Sequence, residues 1–85
     1  MTIEQIQQGI KDADVADLIS LGYEYRTIVE SKKNNNPNFA HLLQEYTPYL
    51  DDIAATDVTT LEDNRLVLTG LVDMYFAIDK NVPSF

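Results

Sequence analysis

The chain has no cysteine and no tryptophan, one histidine, and only three glycines and three prolines in 85 residues. Without cysteine there is no disulfide, no thiolate metal site and no thiol nucleophile, and a reducing compartment is compatible with the composition. His41 has no second histidine at a ligand spacing, so carboxylates alone would have to complete a zinc site, and none is expected. Ser20, Ser31 and Ser84 lie outside any nucleophile-elbow context, and no glycine-rich oxyanion loop accompanies them. Gly9, Gly22 and Gly70 all fall inside predicted helices, so no phosphate cradle or dinucleotide fingerprint runs through them. We therefore expect no catalytic residue, no cofactor and no metal, and read the chain as not an enzyme.

Basic residues are also scarce. Six Lys and Arg stand against fourteen Asp and Glu, a net charge of -8. The imbalance is local: residues 39 to 64 contain Glu45, Asp51, Asp52, Asp57, Glu62 and Asp63 with no Lys or Arg. Such a field repels nucleic acid phosphates and steers a basic protein surface toward this part of the chain. A net charge of this size also serves solubility, which is the plainer reading. Adjacent carboxylates at Asp51 and Asp52 point to different sides of a helix, against a shared proton or metal. The run Asp12, Asp14, Asp17 fails as a calcium loop: counted from Asp12, Asp17 stands where glycine is required and Tyr23 where the bidentate glutamate belongs.

No apolar run is long enough for a membrane. The longest, Leu66 to Ile78, would rise about 20 Å as a helix, short of the roughly 20 residues a hydrocarbon core requires, and Asp73 interrupts it. The N-terminus carries no basic region followed by an apolar one, so a cytoplasmic address is expected.

What is present is helical patterning. Hydrophobic residues make up 45% of the chain and charged residues 24%, enough to fold rather than remain disordered. Thr2 with Gln5 has the capping-box spacing and opens a helix carrying Ile3, Ile6, Ile10 and Ala13 on one face. Asp12 and Asp14 predict a break, the alternative being one continuous helix, and a second helix runs from about Val15 to Lys32. Its stripe is Val15, Leu18, Gly22, Tyr25 and Val29, with Gly22 favouring close approach of a neighbouring helix. The run Asn34 to Asn38 is the clearest loop. Asn36 and Pro37 begin a third helix as cap and first residue, and its stripe continues through Pro48. Pro48 predicts a kink, or two short helices with Thr47 as a second cap. The third helix fades at Ala54 to Thr56. Thr59 with Glu62 then opens a final helix ending at Asn81 and Pro83. A β-hairpin over residues 58 to 69, giving an α+β fold, is the minority alternative.

The expected architecture is a single all-α domain over residues 1 to 85, a small antiparallel three- or four-helix bundle with Leu66 to Ile78 at its centre. Tyr25, Tyr46 and Tyr75 lie on core stripes, whereas Tyr23 and Tyr49 lie near stripe edges. The candidate partner-binding residues are Glu45, Tyr49, Asp51, Asp52, Asp57, Glu62 and Asp63. The expected partner is a protein with a basic surface, with no direct nucleic acid contact and no membrane contact. Acidic helical proteins of this general kind include immunity proteins and inhibitors that occupy nucleic-acid-binding surfaces, a likeness of charge and helix content that no motif carries. The alternatives are a self-assembling scaffold subunit, a homo-oligomer, and a bundle that binds a small anion through Arg26, Lys32 and Lys33.

Overall fold

The first three helices each begin where a side chain accepts from a backbone amide that a helix start leaves unpaired. Thr2 Oγ1 accepts from the Gln5 amide at 3.2 Å and the Thr2 amide donates to Gln5 Oε1 at 2.8 Å. That reciprocal box opens α1, Ile3–Ile10. Asp14 accepts from the Asp17 amide and opens α2, Val15–Lys32, so the chain breaks between the first two helices instead of running on. Asn36 accepts from the Asn38 amide ahead of Pro37 and opens α3, Pro37–Ala54. The last helix, α4, spans Leu61–Lys80. This computed structural model describes residues 1–80, so the expected stop at Asn81 and Pro83 lies outside the described residues. There are no strands among the described residues, and the segment read as a minority hairpin is a turn followed by helix.

Two local expectations are corrected. Of the two outcomes expected at Pro48, the pair of short helices is excluded: α3 is a single helix through Pro48, and Thr47 caps nothing, its hydroxyl donating backwards to the Leu43 carbonyl at 2.5 Å. A threonine can make this i to i−4 bond without leaving the helix, so the hydroxyl is spent before it can cap a second start. The α4 boundary also shifts past Thr59. Asp57 Oδ1 accepts from the Thr59 amide at 2.8 Å and the Thr60 amide at 3.0 Å, and the Asp57 amide donates to Thr60 Oγ1 at 3.0 Å. A carboxylate is the stronger acceptor at this positively polarised helix end. The turn therefore forms around Asp57.

α2 and α4 each pack against the other three helices, while α1 and α3 do not touch. Tyr25, Ile6, Leu18, Ile53, Leu68, Val29 and Val72 are fully buried and tie all four helices into one core. The close approach expected at Gly22 is between α2 and α3, where a Cβ on Gly22 would stand 2.7 Å from Ile53 Cγ2. Buried polar groups are satisfied: the Tyr25 hydroxyl donates to the Leu71 carbonyl at 2.7 Å, and Asn64 Nδ2 donates to the Asp52 carbonyl and Thr56 Oγ1. No helix among the described residues is long and apolar enough to cross a membrane.

The expectation that Leu66 to Ile78 sits inside the bundle is the larger correction. Only one face of α4 is buried, through Asn64, Leu68, Leu71, Val72 and Tyr75. Leu66 is 72% exposed and Ala77 is exposed, while Val67, Met74 and Ile78 are only partly covered. Four short helices cannot surround one of their own number, because α1 covers a single flank of α4 and α3 another.

Candidate functional site: an acid-rimmed apolar groove

The uncovered side of α4 meets α3 in an open groove of about 210 Å³. Tyr46 and Tyr49 form the α3 wall, their rings 5.6 Å apart and inclined at 39°. Leu66, Val67 and Met74 form the α4 wall, with Leu71 below. Gly70 lies among them with no atom within 4 Å of where its Cβ would be, so the absent side chain deepens the groove instead of admitting a neighbouring helix. Tyr46 and Met74 also line a second lobe, which continues past Leu42, Ala77 and Ile78 and ends at Asn38 and His41. The two lobes thus adjoin along the helix pair, with Tyr46 and Met74 common to both.

Helical spacing places carboxylates on both margins. On α3, Glu45 lies four residues before Tyr49 and Asp52 three after it; on α4, Asp63 lies three before Leu66 and Asp73 three after Gly70. All four are exposed, and none forms an ion pair among the described residues. Along these margins, from Glu45 to Asp52 and from Asp63 to Ala77, the basic residue is Arg65, and its guanidinium turns away to α1.

The residues expected to contact a partner accordingly divide. Tyr49 and Glu45 line the groove, and helical spacing sets Asp52 and Asp63 beside it on the same two helices. Asp51 instead pairs with Arg26 of α2 at 2.9 Å. Asp57 caps the α4 turn, where the Thr59 hydroxyl and the Thr59 and Thr60 amides hold its carboxyl below the ordinary carboxylate range. Glu62 pairs with Arg65 at 3.1 Å. These three carboxylates are engaged locally. Missing from the expected set were Asp73 and the α4 wall at Leu66, Gly70 and Met74. A signal for that wall is present: Leu66, Gly70, Met74 and Ala77 recur at helical spacing on a different side from Leu68, Leu71 and Tyr75.

The cations considered for a small anion do not converge. Arg26 pairs with Asp51, Lys33 pairs with Glu30 at 2.8 Å, and Lys32 Nζ lies 5.8 Å from the centre of the Tyr75 ring. Among the described residues, no group of three or more His, Asp and Glu side chains is placed to hold a metal ion. The groove has apolar walls and charged margins, which suits it to burying an apolar surface and orienting a charged one. Compared with protein-family models, curated proteins and solved structures, the chain matches none of them.

Proposed function

We propose that this chain is a non-catalytic protein-binding module, an inhibitor, immunity or adaptor protein, that engages a basic protein surface through the α3/α4 face. The observation that carries the reading is the coincidence of an uncovered apolar groove with four carboxylates on its margins that form no ion pair among the described residues. Exposed apolar surface of this kind marks an interaction site when polar residues rim it. The charge supplies sign: a net -8 with Glu45, Asp52, Asp63 and Asp73 around the contact attracts cations and disfavours nucleic acid itself. A basic surface that otherwise binds nucleic acid is one natural target of such a field.

Self-assembly is the second reading, favoured by the exposure of Leu66 at 72% and Val58 at 84%. Pairing two copies through the groove would oppose the acidic margins of both, which weighs against it.

The test is a pair of charge reversals matched in position. Glu45→Lys with Asp63→Lys alters a mid-helix site and a first-turn site at the groove. Glu24→Lys with Glu4→Lys alters the same kinds of site elsewhere. Each reversal adds two charges, so both variants move from -8 to -4. Affinity capture from the producing cells, quantified by mass spectrometry, should recover proteins with basic faces. Their association rate should fall more for the groove pair than for the matched control. Equal losses in the two variants would reduce the charge to solubility.

A further inference from the structure

We infer that the α3/α4 groove seats a cationic amphipathic helix of the partner, about three turns long, with apolar residues at i, i+3 or i+4, and i+7 and Lys or Arg on both flanks. The inference rests on the basic-partner reading above and adds the conformation and pattern of the segment that is bound.

Four observations lead to it. First, the backbone along both walls is helical, so its amide and carbonyl groups are already paired within α3 and α4. An extended segment laid there would bury its own backbone groups without partners, whereas a helix brings them already satisfied. Second, the length fits. From Leu66 to Ile78 the α4 wall rises about 18 Å, which matches about 12 residues of a parallel helix. Third, the molecule already contains such an arrangement. α1 packs on both α2 and α4 through Ile3, Ile6 and Ile10, spaced i, i+3 and i+7, each no more than 6% exposed. The α3/α4 groove offers a comparable bed on another flank of α4, with no helix in it.

Fourth, the charges select the sign of the occupant. An amphipathic helix seated between α3 and α4 exposes its flanks to Glu45 and Asp52 on one side and to Asp63 and Asp73 on the other. Lys and Arg satisfy both flanks; acidic residues are repelled by both. A second copy of this chain is disfavoured for the same reason, since it would bring the same carboxylates. His41 and Asn38 stand at the far end of the second lobe, where the cationic preference ends.

Three synthetic peptides of fourteen residues test this against the full chain. The first carries leucines at i, i+4, i+7 and i+11 with lysine on the flanks. The second has the same composition in an order without a stripe, and the third keeps the stripe with glutamate in place of lysine. Two variants accompany them. Leu66→Gln with Gly70→Gln makes the wall polar without changing charge, and both sites are open, so thermal melting should show the fold intact. Glu45→Gln, Asp52→Asn, Asp63→Asn and Asp73→Asn together neutralise the rim.

The striped lysine peptide should shift the amide resonances of Tyr49, Leu66, Gly70 and Met74 and become helical on binding. Its affinity should fall at least tenfold with the polar wall and at least tenfold with the neutral rim. The glutamate peptide should not bind. If the unstriped lysine peptide binds as tightly, or the polar wall changes nothing while the neutral rim does, the helix seat is overturned and the basic-partner reading survives. If neither lysine peptide binds, both are overturned. If the glutamate peptide binds as well as the striped lysine peptide, the rim does not select and the cationic assignment is overturned.

Discussion

Two glycines of the same chain are constrained in opposite ways. A Cβ at Gly22 would come within 2.7 Å of Ile53 Cγ2, a branched methyl on a side chain with no exposed surface. Gly22→Ala should therefore destabilise by about 1 kcal/mol net, because overpacking of about 1–3 kcal/mol exceeds the gain in helix propensity of about 1 kcal/mol. Gly70 has open space, so Gly70→Ala should stabilise by about 0.5–1 kcal/mol. Urea titration of the two variants checks both signs. Asp57 supplies a third expectation. Hydrogen bonds from Thr59 and Thr60 lower its folded pKa, so its contribution is present above the unfolded carboxylate value and is lost as pH falls through the lower folded value. Carbon-detected titration should place the Asp57 midpoint below the ordinary aspartate value, and Thr59→Val, which removes the hydroxyl donor, should raise it.

At the scale of elements, α1 is held by a residue that its own sequence does not contain. Arg65 of α4 donates through Nη1 to the Ile10 carbonyl, and to Lys11 O at 3.1 Å, and through Nη2 to Ala13 O at 3.0 Å. Ile10 and Lys11 close α1 and Ala13 follows in the link to α2; the Ile10 carbonyl also accepts from the Ala13 amide at 3.4 Å, and α1 has no basic residue of its own in its last turn. The cation comes instead from 55 residues away. Charge-assisted hydrogen bonds of this kind contribute about 1.5–3 kcal/mol, so Arg65→Met should cost about that much in denaturant titration. The amides of Ile6 to Ile10 should lose hydrogen-exchange protection first, because an eight-residue helix is not stable on its own. Loss of protection spread evenly over all four helices would show that Arg65 acts on the whole core instead.

At the scale of the whole molecule, one apolar face is left open and fenced by charge. Repulsion between acidic rims should keep the chain monomeric at low ionic strength despite the exposed leucine. Added salt shortens the reach of that repulsion, with a screening length of about 10 Å at 0.1 M and about 3 Å at 1 M. Sedimentation at 1 M salt should therefore show weak self-association that is absent at 0.02 M, and Leu66→Asp should abolish it. Association strongest at low salt would mean that the contact is electrostatic and uses another face.

Helix content and most helix starts were legible in the sequence, because a cap and an apolar stripe are local features: Thr2, Asp14 and Asn36 each act on amides two or three residues away. The Asp57 turn escaped local reading because two overlapping cap patterns competed and the carboxylate prevailed. Half of the candidate site was legible too, since Glu45, Tyr49, Asp52 and Asp63 stand in a segment marked by its charge. The other half was not. Leu66, Gly70, Met74 and Ala77 can be read as a stripe, but which of two stripes on one helix faces water depends on how many neighbours surround it. Likewise, whether a carboxylate is free or engaged depends on what the fold brings opposite it: Arg26 of α2 claims Asp51, and among the described residues no ion pair claims Asp52 one residue later. Patterning over three or four residues determined the four helices; packing over fifty residues decided that α3 and α4 leave a groove between them, because α1 is spent on the other side of the bundle.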